Sequence, residues 1–457
     1  MSGLSTFLDR KNSIAGPDFN RWLVPPAALS IHLAIGQAYA FSVFNLPLTK
    51  LIGITESAPD DWKLTTVGWI FSIAIVFLGL SAAFLGSWLE KAGPRKAMFI
   101  SALCFSSGFF VAALGIQLHQ ILLVYFGYGV LGGIGLGVGY ISPVKTLINW
   151  FPDRPGMATG MAIMGFGGGA MIGAPLSVSL MDHFHTATSV GVAETFVTMG
   201  FAYLFFMMFG VFTIRVTPEG WLPPGFKPST KPRKLVTKAN VAARDAIKTP
   251  QFWLLWAVLF LNVTAGIGVL SQASAMIQEM FQGRVNAAAA GGFVGLLSIF
   301  NMGGRFVWSS LSDIIGRKTT YMIYFVLGAA LYSMIPTTGA MGNVFLFVTG
   351  YALILSMYGA GFATIPAYLR DLFGTRQVGA IHGRILTAWS AAGVAGPALV
   401  NYIREYQIGQ GVPNAQAYSV TMYLMAALLV LGFICNYLVK EVDPKWHLPA
   451  DYKGDVG

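Results

Sequence analysis

The sequence predicts an all-α membrane protein whose twelve transmembrane helices form two six-helix parallel repeats. Of its 457 residues, 55% are hydrophobic and only 11% charged, whereas soluble domains carry about 25% charged residues. Twelve apolar segments of spanning length can be read along the chain. A short charged turn recurs at a fixed spacing: Glu90 to Asp313 and Gly93 to Gly316 are each 223 positions apart.

The first half, residues 1–216, holds segments at 22–49, 64–89, 97–117, 119–149, 157–181 and 194–215. MSGLSTFLDRKNS precedes an apolar run that begins only near Trp22, so a signal-anchor is expected rather than a cleavable signal peptide. The first helix places His32, Gln37, Tyr39 and Asn45 within a span. Polar groups there face protein or water rather than lipid, as satisfied interhelical bonds or as cavity lining. The fifth helix is dense in small residues, MGFGGGAMIGAP at Met164–Pro175, which lets helix backbones approach closely in lipid. No preceding strand or Lys-Ser/Thr supports reading its glycine string as a phosphate loop.

Residues 217–250 form the only long polar stretch, rich in Pro and Lys. It reads as a linker with a short amphipathic piece, with contact to anionic lipid headgroups as the sharper alternative. The second half, residues 251–457, holds segments at 251–279, 288–312, 320–338, 342–369, 381–403 and 416–439, followed by a tail. Its eighth helix carries Arg305, which hydrocarbon disfavours by about +2.5 to +3.5 kcal/mol and which is therefore a candidate functional residue. Tyr351, Tyr358 and Phe362 repeat at helical spacing in the tenth helix, and AWSAAGVAGP at Ala388–Pro397 makes the eleventh rich in small residues. Gly160 with Gly383 and Gly173 with Gly396 repeat the 223-residue spacing.

Loop charge orients this layout. Both termini and the connections after even-numbered helices hold 24 Lys/Arg against 12 Asp/Glu, and the opposite connections 4 against 7. Only Arg305 then remains deep within a span, while Lys145 can snorkel from the last turns of helix four. Basic residues concentrate on the cytoplasmic face, so both termini are expected there, and the net charge of +10 signals topology rather than nucleic-acid binding. Cys104 and Cys435 lie in apolar helices, which gives no disulfide framework.

The turn G-x-x-x-E-K-x-G-P-R-K, Gly86 to Lys96, resembles the signature of the major facilitator superfamily. The second copy keeps Asp313, Gly316, Arg317 and Lys318 but has Ser309 where Gly86 stands. The resemblance implies that each carboxylate faces the start of a helix in the opposite half, helix eleven for Glu90 and helix five for Asp313. A negative charge there complements the helix dipole. Glu90, Arg95, Asp313 and Arg317 are thus the expected gating residues. More specifically, GQAYAFSVF, NWFPDRPGMATG, GRFVWSSLSDIIGR and GRILTAWSAAGVAGP resemble the oxalate/formate antiporter family across almost the whole chain. This implies a small-carboxylate site between the halves, with Arg305 as the binding cation and Tyr39, Tyr128 and Tyr358 as an aromatic cage. One departure matters: the family's oxalate exchanger has a lysine in helix eleven where this chain reads Trp389.

The expectation is an alternating-access carrier of the inner (plasma) membrane, multi-pass and monomeric, moving small monocarboxylates such as formate, acetate, lactate or pyruvate. Oxalate/formate exchange on Arg305 alone is the alternative, since a dianion would leave one charge unpaired in a poorly solvated cavity. Arg305, Tyr39, Tyr128, Tyr358, Trp389, His32 and Gln37 are the expected substrate-binding residues. Protons are a candidate coupling ion, and His32 their candidate carrier. No cofactor, metal or catalytic group is expected, because no spanning Asp or Glu and no convergent nucleophile can be read.

Overall fold

The computed structural model describes residues 2–16, 18–226, 235–270, 272–285 and 287–449. Among them it is helical throughout, with only isolated β-bridges outside the helices. Twelve long helices cross the bundle. The first half has α1 (Val24–Ile35, continuing as a 3-10 stretch over Gly36–Phe44), α2 (Leu64–Ala92), α3 (Pro94–Gln117), α4 (121–150), α5 (Pro155–Phe184) and α6 (Val192–Thr213). The second has α7 (Pro250–Leu270), α8 (Ala287–Ile315), α9 (Arg317–Ala340), α10 (Val344–Phe373), α11 (Val378–Ile385 and Thr387–Gly409) and α12 (Ser419–Leu438). Among the described residues, ten of these are long and apolar enough to cross a membrane by length and composition. Within the bundle α8 packs against α5 and α10, and α11 against α7 and α2.

The turns at Gly93 and Gly316 repeat in backbone as well as in sequence. Their φ values are +84° and +88°, a conformation that glycine adopts without a steric cost. Each closes one helix with its own N–H, Gly93 on Leu89 O and Gly316 on Ser312 O at 3.0 Å, and the next helix starts immediately. Gly36 and Gly169 let α1 cross α5: a Cβ on Gly169 would lie 2.6 Å from Gly36 Cα. The small-residue string of α5 is thus a backbone crossing.

Both terminal segments lie on one face. Ala15 donates to Val216 O at 3.0 Å, and Leu448 to Asn240 O at 2.7 Å. On this terminal face the halves are in contact; on the opposite face they diverge. A Cβ on Gly160 of α5 would collide with Ser309 and Arg305 of α8, whereas one on Gly292 or Gly295, nearer the opposite end of α8, would meet nothing within 4 Å. Likewise α5 is mostly buried up to Ala170 but exposes Met171, Ile172 and Leu176 beyond it.

Candidate functional site

Arg305 sits mid-helix in α8, fully enclosed between the halves. Its Nε donates to Asn301 Oδ1, one turn away, at 3.0 Å, and Nη1 donates to Ile163 O of α5 at 3.4 Å. The guanidinium lies over the rings of Phe362 at 5.2 Å and Phe166 at 5.7 Å, each a favourable cation–π contact. Nη2 has no hydrogen-bond partner, and no carboxylate pairs with Arg305 among the described residues. The absence of side chains at Gly160 and Gly167 makes room: a Cβ on Gly167 would stand 3.0 Å from Arg305 Nε.

Aromatic rings wall this cation. Trp389 of α11, fully buried, packs 4.4 Å from Phe362 and 5.3 Å from Phe166 and Tyr140. Tyr39 of α1 and Tyr358 of α10 bring their hydroxyls to 3.0 Å of each other, about one turn beyond Phe362 toward the open face. Tyr39 and Tyr140 are near enough for electrostatic interaction with Arg305. The Tyr140 hydroxyl and Trp389 Nε1 are buried without partners, like Arg305 Nη2. Three donors without a well-formed hydrogen bond therefore occur in one cluster, with Arg305 within reach of the Tyr39 and Tyr140 hydroxyls, and such groups favour an acceptor from outside.

Of the other expected substrate-binding residues, Tyr128 and Gln37 lie away from this cluster, while His32 stands at its edge, its ring 5.4 Å from that of Tyr140. Tyr128 packs on Phe41, Phe109 and Phe196 within the first half, about 18 Å along the helix from Tyr140, the α4 tyrosine that meets the cluster. Gln37 is spent inside the same half, accepting from Tyr203 at 2.9 Å and donating to Ser177 at 3.4 Å. His32 directs both ring nitrogens at backbone oxygens, Nδ1 at Ala162 and Nε2 at Tyr140 (3.0 Å). Sequence reading had Phe362 in a stripe but missed Tyr140 and Phe166 as ring partners; an aromatic set among glycines was the available signal.

On the terminal face the two turns grip opposite halves. Asp313 accepts from Gly156 N and Met157 N at the start of α5, both at 2.9 Å, and from Arg317 Nη2 at 2.5 Å. Arg317 Nε also pairs with Asp371 at 3.2 Å. Glu90 accepts from Gly379 N at the start of α11 at 3.0 Å and is ion-paired with Lys145. Lys145, read as a snorkelling residue, also donates to Arg376 O across the halves at 3.3 Å. Among the described residues, the hydrogen bonds of Arg95 stay within its own half. It holds the amino-terminal segment, donating to Phe7 O at 2.9 Å and Asn12 O at 3.0 Å, because its helix start faces that segment.

Two six-helix bundles closed on one face by reciprocal turns, with one buried cation between them, define a multi-pass membrane transporter. The chain belongs to the Major Facilitator Superfamily, whose sequence pattern matches residues 19–397 and again 304–451; this is a family of transporters, not enzymes. The chain is similar to the oxalate:formate antiporter of Oxalobacter formigenes, 28% identical over 83% of this chain and 84% of the relative. It is also similar to apicoplast pyruvate carrier 1 of Toxoplasma gondii, 24% identical over 86% and 78% respectively. In fold it matches the transporter FucP in its outward conformation, with a TM-score of 0.62 at 13% identity over 90% of this chain and 98% of that one.

Proposed function

We propose that this transporter carries small monocarboxylates by alternating access, with Arg305 holding the carboxylate. The observation that carries this reading is a buried guanidinium with no carboxylate partner, in a cluster where Nη2, the Tyr140 hydroxyl and Trp389 Nε1 all lack acceptors. One carboxylate supplies the missing charge and acceptors together; removing water from an unpaired charge is otherwise costly. Tyr39, Tyr358, Phe166 and Phe362 are the rings that would surround it. A second carboxylate would find no second cation in this cluster, which favours monoanions. The relatives named for oxalate:formate exchange and for pyruvate support carboxylates as the class; oxalate/formate exchange, with Arg305 as its one cation, is the second reading.

In this reading residues 1–216 and 251–457 rock against one another about the site, joined by the connection at 217–250. The terminal face is cytoplasmic, as the excess of Lys/Arg in its loops supports, so the closed turns make this an outward-facing conformer in the inner (plasma) membrane. The protein acts as a monomer. The test is uptake into proteoliposomes with competing oxalate, formate, acetate, lactate and pyruvate. Stimulation by internal substrate identifies a carrier rather than a channel. Arg305→Gln should abolish uptake while the protein still inserts, and Arg305→Lys should keep a point charge without the planar fork. Wild-type uptake by Arg305→Gln, or oxalate outcompeting every monocarboxylate, would overturn the assignment.

A further inference from the structure

His382 occupies a position in the closed gate that substrate binding does not use. It stands on α11 one turn beyond Gly379, the residue whose N–H Glu90 holds at 3.0 Å. It is 2% exposed, and its Nε2 has no hydrogen-bond partner. Its ring lies 5.9 Å from that of Tyr140, which lies 5.4 Å from His32 and 5.3 Å from Trp389. A row of ionisable rings thus leads from the gate to the edge of the Arg305 cluster, with His382 contributed by one half and Tyr140 and His32 by the other.

The charges around this histidine decide what a proton would do. From α2 comes Glu90, whose carboxylate is already engaged by Gly379 and by Lys145 of α4. From α4 also comes Tyr140, from α1 His32, from α8 Arg305 at the far end of the row, and α11 itself carries Arg384. A carboxylate free to receive an N–H from His382 is lacking among these groups. An imidazolium here would bury a charge with no counter-charge free to pair with it and a donor left unmet, a costly arrangement. Parting the halves on this face would hydrate the ring and remove that cost.

We propose that His382 is the proton-binding residue of the inner gate, neutral while the gate is closed and protonated when it opens. This rests on the carrier reading above, with the terminal face as the cytoplasmic gate. The sign follows from linkage: a base that binds its proton better in the open conformer shifts the equilibrium toward opening as pH falls. With an ordinary imidazole value of about 6.5 in the open state, the open-to-closed ratio should rise about tenfold between pH 7.5 and 5.5.

The experiment follows Ser309→Cys, a buried position on α8 facing Gly160 of α5, in protein lacking Cys104 and Cys435 and held in lipid nanodiscs without substrate. Maleimide labelling is measured from pH 7.5 to 5.5 and normalised to the same cysteine in denatured protein. The expected result is a rise of about tenfold in the parent and in His32→Gln, and none in His382→Asn or His382→Gln, both of which should match the parent at pH 7.5. Either His382 variant that matches the parent at pH 7.5 and retains the rise would overturn the proposal, as would loss of the rise in His32→Gln alone. Labelling needs no substrate, so failure to transport any carboxylate would sink the carrier reading without touching this measurement.

Discussion

Replacing Asp313 by asparagine should unlatch the terminal face, and the size of the effect can be worked from its contacts. The carboxylate accepts from two backbone N–H groups at 2.9 Å and from Arg317 at 2.5 Å, with its side chain only 15% exposed. Hydrogen bonds to a charged group contribute about 1.5–3 kcal/mol each. Asparagine keeps a single acceptor oxygen and loses the charge that complements the α5 dipole. A net loss of about 2 kcal/mol raises the open-to-closed ratio about 30-fold. Ser309→Cys reports this directly, since it becomes reachable only when α5 and α8 part. If opening precedes a slower modification, maleimide labelling in Asp313→Asn should be about 30-fold faster than in the parent. Labelling within a factor of two of the parent would refute the latch.

Glu90→Gln should raise the same labelling about tenfold, because one charge-assisted bond is weakened and Lys145 loses its counter-charge; an unchanged rate would remove Glu90 from the gate. Trp389→Lys should place a second cation beside Arg305 and shift preference toward oxalate in the uptake competition; an unaltered order of competitors would contradict the charge argument. Arg95→Gln should free the amino-terminal segment rather than the gate, so limited proteolysis near residues 7–12 should accelerate while Ser309→Cys labelling stays at the parental rate. A faster labelling rate would instead return Arg95 to the gating set.

Much of this architecture is legible in one dimension. Arg305 stands out because hydrocarbon tolerates few unpaired charges. The gating turns stand out because Gly93 and Gly316 take a backbone conformation that side chains resist, in charged sequence repeated at one spacing. Loop charge orders the helices for the same reason, since basic residues are sorted by membrane face. The cage was only partly legible. Tyr39, Tyr358 and Trp389 do reach the Arg305 cluster, whereas Tyr128 and Gln37 are spent within the first half. Polarity in a span says that a side chain avoids lipid, but not which neighbour receives it: Gln37 meets Tyr203 and Ser177.

The linear sequence by itself determined the class, the helix order, the repeat and the isolated cation, because each depends on local composition or on spacing along one chain. Tertiary structure alone decided which rings surround that cation. It set Tyr140 rather than Tyr128 beside Trp389, turned Lys145 into part of a latch, and enclosed His382 at the interface. Those outcomes depend on the depth and rotation of helices packed against one another, and helix packing in lipid is set by close fit between surfaces rather than by hydropathy.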